Sequence, residues 1–349
     1  MKHIFTFEKL LAAHEFCRIS KQHKRATIMF EMELANNISK LVKELANKTY
    51  KLGKYKIFKV YDPKERLIEA LPYKDRVVLM CFCKHVIEPR LENRLIYDNA
   101  ASRKKKGTDF AVHRLHGFLR KLYVNTGGNN FYFLKCDISK YFQSIDHNIL
   151  LSKLRKCGFS EDEMWFMEIV IRSRGHDVKG IPLGNQTSQW FALLYLDEID
   201  RLIKEKLRVA CYIRYMDDFV LLGENKEFLQ MCKAEIENAC IQKLRLKLNA
   251  KTQVGMVKNG IDFLGYNHKL TATGKIVRSI RASARERQRH YLKTIAHYYM
   301  AGVIDDDYLT ARQAAFLAHS EGTKDRKFIN NRLNSLRKAR KSLQTNDMD

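Results

Sequence analysis

The sequence predicts an α+β protein in which helices, strands and hairpins are mixed rather than strictly alternating. Three observations lead to this prediction: helical spacing of apolar residues near the N-terminus, several short apolar strands that end in acidic or turn residues, and a long basic helical C-terminus. The chain has 349 residues, and single cores stop growing near roughly 250–300 residues. We therefore expect two or three packed modules.

The charge of the chain predicts a polyanionic partner. Lys and Arg number 64 against 39 Asp and Glu, a net charge of +25, and nucleic acid is the first candidate for such a surplus. No apolar run approaches the roughly 18 residues that a membrane span needs, and the N-terminus does not resemble a signal peptide. We expect a cytoplasmic protein without membrane association. The eight cysteines lack Cys-x-x-Cys spacing, which predicts reduced core residues rather than a zinc site.

The first third of the chain is predicted to combine helices with one hairpin. Residues 1–50 place apolar side chains at intervals of three and four, as an amphipathic helix does. Residues 55–68 predict a basic hairpin that turns at 62–65. A helix is predicted over 76–95. Residues 102–108 form a cationic loop with a flexible glycine, which suits phosphate groups.

Carboxylates lie at the ends of predicted strands in the middle of the chain. Residues 131–138 form a short apolar strand that ends near Asp137. Residues 210–215 and 219–222 form two further apolar strands, with residues 216–218 at the turn between them. The sequence therefore places acidic groups where strands end.

The remaining segments complete the predicted order of elements. Helical stretches follow residue 147 and cover 229–244. Residues 263–276 predict a second hairpin. From residue 278 to the end the pattern is helical and very basic.

The adjacent Asp217 and Asp218 predict a cation site. Two carboxylates inside an apolar hairpin repel each other and lose solvation, so a cation should lie beside them. Oxygen ligands suit Mg²⁺. With Asp137 from a separate strand, the pair could hold two ions about 3.5–4 Å apart, as in phosphoryl transfer. The alternative is a β-turn with two solvated acids.

Several short motifs follow one another in a recognisable order: Arg66, Lys74-Asp75-Arg76-Val77-Val78, Arg103 with Lys106-Gly107-Thr108, residues 137–146, residues 184–189, Tyr215-Met216-Asp217-Asp218, Lys251-Thr252 and Phe263-Leu264-Gly265-Tyr266. In this order they resemble the successive sequence blocks of reverse transcriptases, over about residues 50–270. The resemblance implies a right-hand polymerase fold with fingers, an antiparallel palm sheet and a helical thumb. The implied divisions are an N-terminal helical segment 1–50, fingers 51–130, a palm 131–272 with finger-like helices inserted around 147–178, and a basic helical thumb 273–349.

The resemblance implies the catalytic centre and its cofactor. It places Asp137, Asp217 and Asp218 on the family's catalytic, metal-binding carboxylates, and the backbone carbonyl of Ile138 on a further metal contact. Two Mg²⁺ ions are the implied cofactor. Lys251 resembles a late-palm lysine that donates a proton to pyrophosphate.

A second implied group contacts the incoming dNTP: Lys59, Arg66, Phe142, Leu183 and Gln189. Phe142 has the position of an aromatic gate that would clash with a ribose 2′-hydroxyl, and core packing is its alternative. The planar guanidinium of Arg66 would contact the triphosphate, with Lys59 as its companion. A solvated charge on the hairpin is the alternative for Lys59.

A third implied group contacts nucleic acid: Arg103, Lys106, Tyr215, Met216, Arg281, Arg285 and Arg289. The arginines of the basic C-terminal segment would hold the backbone of the RNA/DNA duplex without reading its sequence. A solvated basic loop is the alternative for Arg103 and Lys106. The hairpin Phe263-Leu264-Gly265-Tyr266 resembles the primer grip, and hairpin packing is its alternative.

One sequence block narrows the resemblance to a subgroup of reverse transcriptases. This block is Leu183-Gly184-Asn185-Gln186-Thr187-Ser188-Gln189. Many relatives have Gln-Gly-x-x-x-Ser-Pro here, whereas this variant resembles reverse transcriptases of diversity-generating retroelements, which misread template adenines. Leu183 replaces a glutamine, so packing replaces a hydrogen bond near the nascent pair and fidelity should fall. A small, basic, oligomeric accessory protein is the implied partner, beside template RNA and dNTPs.

Two alternatives remain open from the sequence. One keeps the chemistry and changes the biology, to a retron, group II-like or phage-defence reverse transcriptase. The other is a non-catalytic RNA-binding scaffold on the same fold, which the charge alone would fit. The host implied by the resemblance is a bacterium, a phage-infected cell or an archaeon.

Overall fold

The computed structural model describes residues 1–61, 65–174 and 178–346, apart from the side chains of residue 319 and residues 341–346. The helices among them are α1 (Phe7–Arg18), α2 (Arg25–Glu31), α3 (Leu34–Ala46), α4 (Tyr73–Phe82), α5 (Glu88–Leu91), α6 (Thr108–Thr126), α7 (Tyr141–Ser144), α8 (His147–Arg155), α9 (Glu161–Ile171), α10 (Gln186–Tyr195), α11 (Asp197–Arg201), α12 (Lys226–Leu244), α13 (Ala282–Met300), α14 (Asp306–His319) and α15 (Arg326–Asn346). The strands are β1 (Lys56–Val60), β2 (Arg66–Ala70), β3 (Tyr132–Cys136), β4 (Tyr212–Tyr215), β5 (Asp218–Gly223), β6 (Gln253–Met256), β7 (Ile261–Phe263), β8 (Tyr266–Leu270) and β9 (Ile276–Ile280). The predicted α+β class is confirmed.

The chain divides into two compact units. The first consists of Met1–Ala111, Cys136–Phe219 and Gln230–Gln253, and the second of Val112–Lys135, Val220–Leu229 and Val254–Asp349. All eight cysteines are free, and every one except the half-buried Cys17 is buried, as predicted. In the described part of the chain, no helix is both long enough and apolar enough to cross a membrane.

The predicted helical start of the chain is confirmed as three helices. At the start of α1 the Thr6 hydroxyl accepts a hydrogen bond from the Lys9 amide at 3.3 Å, which satisfies one of the unpaired donors of the first turn. α3 is amphipathic and buries Ile38, Leu41 and Leu45, which are spaced three and four residues apart. The spacing in the sequence therefore corresponds to the buried face.

The predicted basic hairpin is confirmed as the antiparallel pair β1 and β2, in a register that pairs Lys56 with Ala70 and Val60 with Arg66. Every residue of β1 is exposed, whereas β2 buries Glu69. The predicted turn at 62–65 falls mostly on residues 62–64, which lie outside the described part of the chain.

The predicted helix 76–95 begins and ends earlier than expected and is less regular. α4 begins at Tyr73, continues as the π-helical segment Cys83–Ile87, and is followed by α5, which ends at Leu91. Pro89 lies near the start of α5 and lacks an amide hydrogen, so it cannot continue the hydrogen-bond ladder of a regular helix. The wider π turn before Pro89 accommodates this interruption.

A four-stranded sheet has the order β4-β5-β3-β6. Only Met216 and Asp217 join the neighbouring strands β4 and β5, and strands joined by so short a connection run antiparallel. The predicted strands are confirmed, although Asp218 is the first residue of β5 rather than part of the turn. The buried side chains of this hairpin include Tyr212, Ile213, Phe219, Val220 and Leu221.

A three-stranded antiparallel sheet, β7-β8-β9, contains the second predicted hairpin. Phe263 pairs with Tyr266 across one turn, and Leu270 pairs with Ile276 across the next. The expectation of helix from residue 278 was wrong, because β9 continues to Ile280 and α13 begins at Ala282. Ile276 and Ile280 are β-branched residues that suit a strand, and the surrounding arginines masked this signal. The C-terminal helices pack around a cluster of Ile280, Leu292, Ile295, Tyr299, Leu309, Ile329 and Leu333.

Candidate active site

Asp137 immediately follows β3 and is fixed by a short antiparallel pairing with residues 247–249. The carbonyl of Asp137 accepts a hydrogen bond from the Asn249 amide at 2.7 Å, and the Ser139 amide donates to the Lys247 carbonyl at 2.9 Å. Ile138 lies between these two bonds, opposite Leu248. In such a pair the central residue directs its own carbonyl to the other edge, so this pairing does not use the Ile138 carbonyl.

Met216 and Asp217 form the turn between β4 and β5, and Met216 has a left-handed backbone with φ of 55°. For a residue with a side chain this conformation costs about 1–2 kcal/mol. Strain of this kind persists only where surrounding contacts enforce it, and such residues cluster at functional sites. The carbonyl of Met216 accepts a hydrogen bond from the Arg214 guanidinium at 3.0 Å.

The three predicted carboxylates are brought together in the first unit. Burial, together with the negative charges of Asp137 and Asp218, raises the pKa of Asp217 to about 6, while a backbone hydrogen bond and Arg214 act in the opposite direction. The structure therefore places Asp137, from a distant part of the sequence, close enough to Asp217 for the two charges to repel each other.

The donor chemistry of this cluster fits a divalent cation that prefers oxygen ligands. Among the described residues no group of three or more His, Cys, Asp and Glu side chains is arranged so that it could hold a metal ion. Cations such as Mg²⁺ need only one or two protein carboxylates, because substrate phosphates and water complete the shell. A bound cation would also offset the repulsion that, beside burial, contributes to the raised pKa of Asp217.

Arg214 and Asp200 form a buried ion pair that the sequence did not reveal. Both side chains are 0% exposed, and Nε of Arg214 donates to Oδ1 of Asp200 at 2.7 Å. The Tyr212 hydroxyl donates to the same oxygen at 2.6 Å. Burial alone would lower the pKa of Arg214, but Asp200 raises it above its usual value, so the guanidinium remains charged. The sequence feature that could have indicated this ion pair is an arginine inside an otherwise apolar strand.

Phe142 lies on α7, five residues after Asp137, and is partly exposed. Its ring contacts the Tyr141 ring edge-on, with 5.7 Å between the centroids. Tyr141 itself is buried and donates to the Ala192 carbonyl. The neighbouring tyrosine, rather than Phe142, therefore fills the core, and the exposure of Phe142 leaves its gating role as a prediction.

The block from Leu183 to Gln189 connects the exposed hairpin with α10. The Glu69 amide of β2 donates to the Leu183 carbonyl at 3.0 Å. Gly184 has φ of 134°, and a Cβ there would lie 2.7 Å from the Glu69 carbonyl oxygen, so only glycine fits. The side chain of Leu183 is half-buried, and Oε1 of Gln189 accepts a hydrogen bond from the Ser102 hydroxyl at 3.4 Å.

Arg66 and Lys59 are exposed on the hairpin formed by β1 and β2. Lys59 forms an ion pair with Glu65 at 2.7 Å, and Arg66 is paired in register with Val60. Both cations can reach solvent. Contact with a triphosphate stays a prediction for each.

Arg103 and Lys106 are held by the chain itself. Arg103 is nearly buried, pairs with Glu92 at 2.8 Å and donates to the Ile96 and Asn99 carbonyls at 2.7 and 3.0 Å. Lys106 donates to the Tyr97 carbonyl at 2.5 Å and lies over the Tyr97 ring. Arg103 therefore stabilises its own segment, and contact with template phosphates stays a prediction.

Lys251 is exposed, two residues beyond the segment that pairs with Asp137. Its amide donates to Oδ1 of Asn249 at 3.1 Å. The pairing between Asn249 and Asp137 therefore brings the Lys251 backbone into the neighbourhood of the carboxylates. Its role as a proton donor stays a prediction.

The predicted primer grip lies in the second unit, where the Leu264-Gly265 turn has positive φ at both residues, 51° and 88°. The Gly265 carbonyl accepts from the Arg281 amide at 3.1 Å, and the guanidinium of Arg278 lies 4.7 Å from the Tyr266 ring centroid. Phe263 is buried. These contacts show a firmly held hairpin.

A pair of histidines connects β8, the strand after this turn, to α6. His116 of α6 contacts His268 of β8 at 2.9 Å, and Nε2 of His268 lies 3.3 Å from the Phe263 carbonyl. Burial and the neighbouring His116 together lower the pKa of His268 to about 3, and burial lowers the pKa of His116 to about 4. Both rings are therefore neutral at ordinary pH, and the pair holds the hairpin without adding charge.

The three predicted duplex-binding arginines also lie in the second unit, and two of them have acidic partners. Arg281 pairs with Asp262 at 3.6 Å, and Arg285 pairs with Asp325 at 3.0 Å. Arg289 is exposed and lies 5.8 Å from the Phe328 ring centroid. Arg289 is therefore the most accessible of the three to a phosphate.

A family model matches more than half of the chain. The model described as reverse transcriptase (RNA-dependent DNA polymerase) matches residues 62–268, which contain all three carboxylates. Among curated proteins, Protein YkfC of Escherichia coli (strain K12) is 24% identical, with 37% of this chain and 45% of that protein covered.

Solved structures provide a likeness of fold. The structure of apo telomerase from Candida tropicalis, truncated from the C-terminal domain, is 16% identical with a TM-score of 0.51, covering 72% of this chain and 60% of that one. Telomerase from Candida albicans in complex with a fragment of telomeric RNA is 15% identical with a TM-score of 0.48, covering 76% and 55%. The chain thus spans 45–60% of the length of these relatives. The Candida tropicalis likeness agrees with the predicted polymerase type of α+β fold.

Proposed function

Since the chain belongs to the reverse transcriptase family, we propose that it is an RNA-directed DNA polymerase with its catalytic centre at Asp137, Asp217 and Asp218. One observation carries the proposal: Asp137, which follows β3, lies close enough to Asp217, between β4 and β5, for their charges to repel each other, and this repulsion together with burial raises the pKa of Asp217 to about 6. Carboxylates held together at this electrostatic cost are typical of metal-dependent phosphoryl transfer. A non-catalytic scaffold has no need for such a cluster.

In the proposed reaction the primer 3′-hydroxyl attacks the α-phosphate of a dNTP in line, and pyrophosphate leaves. Asp137 and Asp217, assisted by Asp218 and the Ile138 carbonyl, would hold two Mg²⁺ ions, which when bound would activate the hydroxyl and stabilise the leaving oxygen. The pairing of residues 137–139 with 247–249 keeps the first carboxylate in place. Lys251, in the same neighbourhood, would donate a proton to the pyrophosphate.

Substrate selection is proposed for residues around this centre. Phe142 would exclude a ribose 2′-hydroxyl by shape. Arg66, with Lys59, would contact the triphosphate, because an exposed hairpin leaves the guanidinium accessible to a charged ligand. Leu183 and Gln189 would contact the incoming dNTP, with Leu183 beside the nascent base pair.

We place the remaining contacts in the divisions expected from the sequence: an N-terminal helical segment 1–50, fingers 51–130, palm 131–272 and thumb 273–349. The nucleic-acid contacts would come from Arg103, Lys106, Tyr215, Met216, Arg281, Arg285 and Arg289, and the primer grip from Phe263, Leu264, Gly265 and Tyr266. The net charge of +25 supports a template RNA and an RNA/DNA duplex as partners.

The biological role that we propose is targeted gene diversification, with cDNA synthesis that misreads template adenines. The support is the block from Leu183 to Gln189, where a half-buried leucine stands in place of a hydrogen-bonding glutamine. A small basic oligomeric accessory protein is the proposed partner.

Primer extension on an RNA template with Mg²⁺ tests the polymerase proposal. We expect extension by the wild type and by Asp307→Asn, a matched control for an exposed carboxylate of α14. Asp217→Asn and Asp218→Asn should lose at least about 10³-fold in rate. Equal incorporation by the wild type and the two active-site variants would remove the basis for this centre.

Sequencing of the cDNA tests the proposed infidelity. The wild type should concentrate its errors opposite template adenines, and Leu183→Gln should reduce them roughly tenfold, since a polar contact adds a kcal/mol or more of discrimination. Leu207→Gln, at another half-buried leucine, is the matched control. Equal error rates at adenine and at the other template bases in the wild type would contradict this role.

A further inference from the structure

Arg214 is a fully buried arginine that lies two residues before the strained turn at Met216. Its guanidinium reaches three different elements. It binds both carboxylate oxygens of Asp200 in α11, the Leu193 carbonyl of α10 at 3.1 Å, and the Met216 carbonyl at 3.0 Å. Four of the five guanidinium donors are thereby used.

The backbone of Arg214 is fixed as firmly as its side chain. The Arg214 amide donates to the Asp98 carbonyl at 3.0 Å, and the Arg214 carbonyl accepts from the Ala100 amide at 2.9 Å. Because both ends of the residue are held, the guanidinium has a defined position relative to β4. The Met216 carbonyl, one residue before Asp217, is therefore tied to a fixed point.

We propose that Arg214 and Asp200 form a positioning pair, which holds the Met216-Asp217 turn, and with it the start of β5 at Asp218, at a set place relative to α10 and α11. This inference rests on the polymerase proposed above and adds residues that touch neither substrate nor metal. The pair fixes the carbonyl of the one turn residue whose backbone is left-handed, so it enforces a conformation that the chain would otherwise leave.

Stabilising the fold is not enough to account for a buried ion pair at this position. A buried ion pair is often no more stabilising than apolar side chains of similar volume, because both charges lose their solvation. What an apolar replacement cannot provide is the set of directed bonds from one planar group to a carboxylate and two backbone carbonyls. Lysine carries the same charge, but its donors leave from a single atom and cannot span these acceptors.

The Tyr212 hydroxyl completes the pair. Tyr212 and Arg214 share one face of β4, because side chains alternate along a strand. The hydroxyl donates to Oδ1 of Asp200 at 2.6 Å, next to the bond from Nε of Arg214. Tyr212→Phe removes only this bond and retains the ion pair, so it is a mild variant.

Single-nucleotide kinetics and amide hydrogen exchange test the proposal in the full-length chain. The variants are Arg214→Lys and Tyr212→Phe. The control is Arg201→Lys, because Arg201 pairs with Asp197 at 2.9 Å on the surface of the same helix as Asp200. Incorporation of one dNTP on a primed RNA template gives kcat and KM, and a separate titration gives the duplex Kd. Exchange in chelator reports on the turn without metal.

We expect kcat of Arg214→Lys to fall about 10²-fold, the size of effect that follows from an active-site displacement of about 1 Å. KM for the dNTP and Kd for the duplex should stay within about threefold of wild type, and residues 212–219 should exchange faster. Tyr212→Phe should lose about threefold or more in kcat, again with KM unchanged. Arg201→Lys should match the wild type in every measurement.

A kcat of Arg214→Lys within about threefold of wild type would overturn the proposal. A fall in kcat accompanied by equally large rises in KM and duplex Kd would also overturn it, because that pattern indicates general unfolding. If Arg214→Lys does not fold, the Tyr212→Phe variant tests the proposal instead. Unchanged kcat and unchanged hydrogen exchange in Tyr212→Phe would then overturn the positioning pair. A wild type that does not extend primers would instead refute the proposed function. In that case unchanged exchange of residues 212–219 in Tyr212→Phe would refute the positioning pair as well, and faster exchange would support it.

Discussion

Replacing Asp217 with asparagine should stabilise the metal-free protein while removing its activity. Burial and the charges of Asp137 and Asp218 raise the pKa of Asp217 from 3.8 to about 6. The folded chain therefore binds this proton more tightly than the unfolded chain, whose aspartates titrate near about 3.9. Below about pH 4 the carboxyl is neutral in both states and costs nothing. As pH rises through about 6 the folded protein must hold the ionised form, and the stability contributed by protonation is lost.

The shift in pKa corresponds to at most about 3 kcal/mol at pH 8, at 1.36 kcal/mol for each factor of ten. Asparagine has nearly the same shape and no charge, so Asp217→Asn should recover up to this amount. The assay is urea unfolding in chelator at pH 4 and pH 8, with Asp307→Asn as the exposed control. We expect a clear gain at pH 8 and only a small one at pH 4, where the folded carboxyl is protonated and the unfolded one about half ionised. A variant that is less stable than wild type at pH 8, or equally stabilised at both pH values, would refute the reasoning.

Three further predictions follow from individual side chains. Phe142→Ala should raise ribonucleotide incorporation relative to dNTP incorporation by roughly 10–100-fold, measured by competing substrates, because a methyl group cannot block the 2′-hydroxyl; unchanged selectivity would return Phe142 to a packing role. Arg103→Ala should lower the free energy of unfolding by about 2–3 kcal/mol in urea, because the guanidinium bonds within its own segment are lost; normal stability with weaker RNA binding would favour the phosphate contact instead. Arg289→Gln should reduce the slope of log Kd against log salt for duplex binding by about one, whereas an unchanged slope would exclude a phosphate contact.

The parts of the fold that the sequence predicted were those with strong local patterns. Local patterns were enough to predict the apolar strands around Asp217 and Asp218. They were also enough for the helix that ends near Leu45, where apolar residues recur at intervals of three and four. The proposed catalytic cluster could be predicted because Asp137 directly follows its own apolar strand. Even so, only the structure shows that the charge of Asp137 reaches Asp217.

The parts that the sequence did not predict depend on partners far along the chain or on competing signals. Arg214 could be recognised as a charge in an apolar strand. Its partner Asp200 lies on a separate helix, and the sequence around Asp200 does not indicate the pairing. Arg103 lies in a cationic loop, and the sequence could not distinguish a solvated arginine from one that Glu92 holds inside. The strand ending at Ile280 was obscured by the basic residues around it, because charge says little about secondary structure.

The most direct test of the central claim is a double-mutant cycle on Asp137 and Asp217, read as single-turnover incorporation of one dNTP on a primed RNA template. If the two carboxylates form one centre, Asp137→Asn and Asp217→Asn should each lose at least about 10³-fold in rate, and the double variant should lose little more than either alone. Duplex affinity should be unchanged in all three. Losses that simply multiply, or full activity in Asp137→Asn, would contradict a shared catalytic centre.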